Sequence, residues 1–211
     1  MSLTGLFLVL FLLVHLGGNS QLLLNDSGES FNLFTSFMTH NPVIELIAYV
    51  LYICILLHAV QGVLLWRENR IARPKRYAVS TFPKTSFMSR QMILLGLLVF
   101  AFLCLHMGDF WVKMKFSDVL DMKQYAGSSH EVVDLYSRVA IAFKQEWIVI
   151  VYIIGSLALG LHLWHGFDSA FQTLGLRHMR FGYLFKPIGM IYTVVVTFGF
   201  TIIPLYMYFL R

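Results

Sequence analysis

The stretch WIVIVYIIGSLALGLHLWHGFDS, residues 147–169, carries no formal charge until Asp168 near its end. About 20 apolar residues cross a hydrocarbon core about 30 Å thick, so this stretch reads as a membrane-spanning helix. It also carries two imidazoles, His162 and His165, toward its polar end. Imidazoles are costly in lipid, so the pair needs a physical reason. Working outward, four more apolar segments stand out, at roughly 2–22, 43–66, 91–113 and 187–210. Over 211 residues the chain is 58% hydrophobic and 13% charged, with a mean hydropathy of +0.71. A soluble domain averages about a quarter charged residues. The expected fold is an all-α membrane protein, one domain over residues 1–211, with five transmembrane helices of which the first four form a bundle. Most of the chain lies in the bilayer, which leaves no room for a separate soluble catalytic domain.

Several features narrow the class further. The opening MSLTGLFLVLFLLVHLGGN has neither a basic leader nor an A-x-A-like cleavage site, so it is expected to be the first spanning helix rather than a signal peptide. Cys54 and Cys104 both fall inside apolar segments and read as small buried hydrophobes, with no sign of a disulfide. The net charge of +5 is not paired with stacking aromatics along a basic groove, so nucleic acid is not an expected partner. The segments between spans are polar, rich in Ser, Asp, Asn and Gly, and no internal repeat stands out.

Charge predicts the orientation. The second loop, RENRIARPKRYAVSTFPKTSFMSR, holds Arg67, Arg70, Arg73, Lys75, Arg76, Lys84 and Arg90 against Glu68, and the fourth adds Arg177, Arg180 and Lys186. The first loop has Asp26 and Glu29 and no basic residue, and the third is mixed. Positive charge stays inside, so the N-terminus is expected in the cytoplasm and the C-terminus outside.

Four histidines lie well within spans, one on each of the first four: His15, His58, His106 and His162. His165 is nearer the surface, and His40, His130 and His178 are in loops. A single membrane histidine is often just bonded to a neighbouring helix; one on each of four helices asks for more. The second span runs inward from about Val43 and the fourth from about Trp147, and each reaches its histidine after 15 residues. His58 and His162 therefore share a level, roughly 12 Å from the cytoplasmic end at 1.5 Å per residue. The first and third spans run outward, which places His15 and His106 near the outer side. Glycines repeat the pairing: Gly62 and Gly166 lie four positions after His58 and His162, and Gly17 and Gly108 two positions after His15 and His106. A glycine beside a ligating histidine lets a flat, bulky group approach the backbone. Facing histidines suit a six-coordinate haem, so the pattern predicts two bis-histidine haems stacked across the membrane. Zinc prefers four ligands in one tetrahedral cluster, which two levels do not provide. A proton relay is the other reading, but Asp109 and Asp168 lie near span ends and Glu45 at the mouth of the second.

LLVHLGGN, LLHAVQGVLLW, FLCLHMGDFW and LHLWHGFDSAFQTLG, in that order on four of five spans, resemble the di-haem cytochrome b membrane anchor of succinate dehydrogenase and fumarate reductase. The nearest variety is the single-subunit, five-helix type of bacteria that use menaquinone. The resemblance covers nearly the whole chain and is carried by the four histidine motifs. It implies that His15 and His106 ligate an outer, distal haem b and that His58 and His162 ligate an inner, proximal one. The family's histidine four residues before the fourth-span glycine selects His162 over His165, which is then expected as a surface or propionate-side neighbour. It further implies a menaquinone site near the distal haem, where Glu29 occupies about the position of an acid used in some members; a solvated loop acid is the alternative. The family's basic propionate partner is not matched, since Gln172 and Thr173 occupy that region, and Arg67, Arg90 and Lys186 are candidates by side only. Partners would be an iron–sulfur subunit and a flavoprotein carrying FAD and the dicarboxylate site, docked on the basic face of a bacterial cytoplasmic membrane. A di-haem cytochrome b subunit of a hydrogenase or formate dehydrogenase is the competing expectation.

Overall fold

The computed structural model describes residues 1–72, 87–116, 120–126 and 130–211, with the side chains of 87–90 outside the description. Five of its helical segments are long and apolar enough to cross a membrane: Ser2–Leu23, Pro42–Ile71, Gln91–Phe116, Glu146–Thr173 and Gly182–Leu210. The chain is an all-α, multi-pass membrane protein, and its apolar flanks meet lipid. Each span matches its expected segment, and several run a turn or more further. Helices extend past the hydrocarbon because their ends are polar and wet, a region that hydropathy alone does not mark.

In chain order the elements are α1 (Ser2–Asn19), α2 (Glu29–His40), α3 (Pro42–Ile71) and α4 (Phe87–His106). A π-type turn, Met107–Val112, carries α4 into the short α5 (Lys113–Phe116). Then come α6 (Leu135–Phe143), α7 (Glu146–Thr173) and α8 (Phe185–Leu210). A two-residue antiparallel pairing, Met122–Lys123 with Val132–Val133, precedes α6. The ring closes as α1 on α3, α3 on α4, α4 on α7 and α7 on α1, with α8 lying outside against α7 and α1. One end of this bundle carries α2 and α6 and is called the cap end. The other carries Arg67, Arg70, Arg177, Arg180 and Lys186 and is called the basic end. The rest of the basic second loop, with Arg73, Lys75, Arg76 and Lys84, lies outside the described residues, as does the Arg90 side chain.

Packing is uneven around the ring. The most apolar window of α7 is 44% buried and that of the fifth span 28%, against 6% for the second and third spans. The α7–α8 seam is tight because small residues let the backbones close on each other. A Cβ on Gly160 would come within 2.2 Å of Thr197 Oγ1, and one on Gly189 within 2.4 Å of the Phe167 ring. Thr193, Thr197 and Thr201 turn their hydroxyls back onto carbonyls four residues earlier, so these three hydroxyls are paired within their own helix. Tyr192 donates to the Val9 carbonyl at 2.7 Å and ties α8 to α1. Cys54 and Cys104 are free, the first half-buried and the second exposed. This corrects their reading as buried: their apolar surroundings include lipid, not a packed core alone.

The cap end corrects the reading of the first and third loops as plain polar connectors. Asn41, in extended conformation, accepts from the backbone amides of Val43 and Ile44, and Pro42 follows it, so the chain turns sharply from α2 into α3. Asp26 accepts from the amides of Gly28 and Ser30 and closes the start of α2. Gly28 sits at φ 85 with the Tyr136 ring against it, 2.1 Å from where a Cβ would stand, so both conformation and space demand glycine. Between α2 and α6 lies a buried polar knot. Asn32, fully buried, donates to Asp134 Oδ1 at 2.9 Å and to the Tyr125 hydroxyl at 2.8 Å, and accepts from the Tyr136 amide. Lys123 reaches Asp134 Oδ2 at 2.7 Å, and the Asp134 side chain accepts from the Ser137 amide that starts α6. Beneath the knot sits the apolar core, including Leu22, Phe31, Phe110, Phe143, Ile203 and Met207.

Burial pushes the Asp134 carboxyl up, but the hydrogen bonds from Lys123, Ser137 and Asn32 outweigh it and hold the group below the usual carboxylate range. A folded pKa below the unfolded value of about 4 stabilises fully above that pH and fades as pH falls through the folded value. Resistance to thermal unfolding in detergent should therefore fall below about pH 4, and Asp134→Asn should flatten that acid dependence. An undiminished dependence in the variant would assign it to other carboxylates. Asn32→Ala, which strands buried partners, should cost about 1–3 kcal/mol.

Candidate functional site

The four span histidines come together in two pairs inside the ring. His15 on α1 faces His106 on α4, with ring centroids 5.7 Å apart and planes at 85°. His58 on α3 faces His162 on α7, at 6.2 Å and 71°. Each pair crosses the ring between helices that are not neighbours in sequence. Among the described residues no three His, Cys, Asp or Glu side chains gather as a metal-binding group. The donors are paired, not clustered.

The levels follow from what lies beside each ring. A Cβ on Gly5 of α1 would stand 3.3 Å from His58 Cε1, and one on Gly96 of α4 would stand 3.7 Å from His162 Cε1. Ten positions further along the same two helices come His15 and His106. The two pairs are thus separated by roughly 15 Å along the bundle axis. The His58–His162 pair lies toward the basic end and the His15–His106 pair toward the cap end. Each pair has bare backbone nearby: a Cβ on Gly17, Gly108 or Gly166 would meet nothing within 4 Å, and one on Gly62 only the flexible end of Met1 at 3.4 Å.

Polar partners fix most of the ring orientations. Thr4 Oγ1 lies 3.3 Å from His58 Nδ1, the Asn19 amide 3.4 Å from His15 Nδ1, and the Tyr152 hydroxyl 3.2 Å from His106 Nδ1. These contacts leave Nε2 of the three rings as the nitrogen available for a ligand. His162 Nδ1 is buried and has no hydrogen-bond partner among the described residues. Aromatic rings surround the cap-end pair: Phe11 stacks on His15 at 5.1 Å, while Phe102 and Phe110 flank His106. The basic-end pair has glycines where the other has rings.

One turn beyond His106, within the π-type turn, stands Asp109. Its carboxylate pairs with Lys113 at 2.7 Å and with the guanidinium of Arg138, which arrives from α6. π-type turns occur mostly as local insertions in helices, frequently at functional sites. Here the turn aims Asp109 at α6 and fastens the cap to the third span. Glu29 opens α2 at the cap end, half-buried, and has no side-chain hydrogen bond or ion pair among the described residues. His165 does not join the His162 pair; it lines a cavity between α7 and α8 together with Lys186. Arg67 is exposed at the end of α3, and Thr173 bonds the Ser169 carbonyl.

Asp109 reads in the sequence only as an acid near a span end, and Thr4, Gly5, Asn19, Gly96, Arg138 and Tyr152 are not marked there as parts of this arrangement. A signal existed for two of them. GLFLVLFLLVHLG, residues 5–17, and GLLVFAFLCLHMG, residues 96–108, share one frame: glycine, histidine ten positions on, glycine two further. That frame is a shared spacing between the first and third spans.

Asp109→Asn keeps the shape and removes the charge that holds both Lys113 and Arg138. Because these groups are partly exposed, the loss in stability should be about 0.5–1.5 kcal/mol, read as a lower unfolding temperature of the detergent-solubilised chain. An unchanged unfolding temperature would reduce the cluster to surface pairing.

Set against models of protein families, curated protein sequences and solved structures, the chain finds no match. Its function has to be read from its own residues.

Proposed function

We propose that this chain is the di-haem cytochrome b membrane anchor of a succinate:quinone oxidoreductase, acting as succinate dehydrogenase or quinol:fumarate reductase. The observation that carries the reading is the pair of facing imidazole pairs, stacked across one four-helix ring. His58 and His162 would hold a proximal haem b, and His15 and His106 a distal one. A metal bonded to an imidazole nitrogen on each side at about 2 Å sets the ring centroids about 6 Å apart, and the observed separations are 5.7 and 6.2 Å. The open backbone at Gly17, Gly108 and Gly166 and the sparse burial of the second and third spans support a bundle interior shared with a flat, bulky group. The unpartnered His162 Nδ1 supports a polar neighbour there beyond the described side chains.

A b haem bound in this way supplies a one-electron carrier whose potential is set by its axial ligands and their shell. The chain's own contribution is to fix two such carriers at a set spacing, in an apolar surround, with Thr4, Asn19 and Tyr152 orienting three of the ligands. The basic end would face the cytoplasm and dock an iron–sulfur subunit and a flavoprotein with FAD. Menaquinone or menaquinol would react near the cap end, outside, where Asp109 pairs with Arg138 one turn beyond His106 and Glu29 opens α2. The anchor of a bacterial cytoplasmic membrane complex fits all of these placements. The dicarboxylate site would belong to the flavoprotein, and co-purification with a flavin-bearing subunit separates this reading from a hydrogenase or formate dehydrogenase cytochrome.

His162→Ala should remove one of two haems in the reduced-minus-oxidised spectrum and spare the other, while His165→Ala should retain both. Loss of a haem on changing His165 alone would overturn the assignment in α7. Tyr152 gives a second test. An imidazole ligating through Nε2 keeps its proton on Nδ1 and donates it to the Tyr152 hydroxyl, which makes the ligand more basic and favours the oxidised metal. Tyr152→Phe should therefore raise the midpoint potential of one haem only; equal movement of both, or of neither, would remove Tyr152 from this role.

A further inference from the structure

A cavity of about 260 Å³ opens between α7 and α8 at the basic end, one turn beyond His162 and lined by none of the four paired histidines. Trp164, His165 and Asp168 of α7 line it with Lys186 and Met190 of α8. Its floor is firm, because Phe167 packs directly on Gly189. Two polar features within it are unfulfilled. Lys186 has no ion pair among the described residues, although Asp168 lines the same cavity. Asp168 Oδ2 takes Arg177 Nη1 at 3.4 Å, but Asp168 Oδ1 is buried and has no hydrogen-bond partner among the described residues. A buried acceptor left unpaired is unfavourable, so this site favours a ligand that brings both an anion for Lys186 and a donor for Asp168.

We propose that this cavity binds the headgroup of a glycerol-type anionic phospholipid, of the phosphatidylglycerol class. Its phosphate would pair with Lys186 beside His165, and a headgroup hydroxyl would donate to Asp168 Oδ1. Trp164 and Met190, both large and partly exposed, offer apolar walls to the acyl chains. Three observations select an anionic lipid. The cavity sits where two spans meet the polar boundary, its free charge is an ammonium, and the adjoining turn adds Arg177 and Arg180. Basic pockets between transmembrane helices are a recurrent seat for anionic headgroups. Among Lys186, Arg177 and Arg180 a headgroup of net negative charge is favoured over a zwitterionic one, whose ammonium would compete with Arg177 for Asp168, and inorganic phosphate would offer no apolar portion. None of its residues is an axial candidate, but His165 and Lys186 are also the propionate-side candidates of the sequence, so the haem content of Lys186→Gln is read beside its lipid. Unchanged haem with weakened lipid retention separates the two roles.

The test is lipid retention by the full-length, detergent-solubilised chain, titrated with phosphatidylglycerol, phosphatidylethanolamine, phosphatidylcholine or inorganic phosphate and read by native mass spectrometry. Phosphatidylglycerol should be retained selectively. Lys186→Gln and Asp168→Asn should each weaken that retention about fivefold, and Lys144→Gln at the cap end should leave it unchanged. Unfolding temperatures of the variants check that each is folded. Equal retention of the zwitterionic lipids, binding of phosphate alone as tightly as the lipid, or unchanged retention in both cavity variants would overturn the proposal.

Discussion

A polar group inside a bilayer has no water to bond, so it must find its partner within the protein. That constraint organises this molecule. Four spans each carry one deep histidine, and each histidine turns away from lipid to face another across the ring. The hydroxyls of α8 obey the same rule by bonding their own backbone, and Tyr192 obeys it by bonding α1. What differs is the use made of it. The threonines are satisfied locally and serve packing, whereas the imidazoles are satisfied at Nδ1 in three cases and keep a second nitrogen available.

Rigidity is distributed to match. The α7–α8 seam, closed by Gly160 on Thr197 and Gly189 on Phe167, makes one stiff wall that carries His162. The cap end is held by its apolar core and by the Asn32–Asp134 knot, and Asp109 ties the third span to it through Arg138. The second and third spans bury little of themselves against their neighbours. Two of the four histidines, His58 and His106, thus stand on the less packed side of the ring. His162 therefore stands in the best-buried span, while the spans that carry the other three histidines pack less closely on their neighbours.

The spans were legible because hydropathy and length are local properties of the chain. The histidine pairing was legible too, since depth can be counted along antiparallel helices at a fixed rise per residue. The cap was not. The α2 and α6 segments are short, and their reason for folding is a contact between Asn32 and Asp134, 102 positions apart, which no window of sequence displays. The roles of Tyr152 and Arg138 were hidden for the same reason: each acts on a residue of another helix. Gly5 and Gly96 were readable in principle from their shared spacing to His15 and His106, but glycines in apolar spans are common enough to pass unnoticed. His165 shows the remaining difficulty. Three positions from His162, it points to a different neighbour, and only the packing of α8 reveals which.

The facing planes give the central claim its most direct test. Rings held at 85° and 71° would ligate their metal with crossed imidazole planes, an arrangement that gives low-spin ferric haem a strongly anisotropic electron paramagnetic resonance signal. The measurement is the spectrum of the oxidised, full-length protein isolated from its membrane. Two distinct signals of that kind, one per histidine pair, are predicted. A single signal, a high-spin ferric signal, or no haem signal at all would contradict the assignment of two bis-histidine sites.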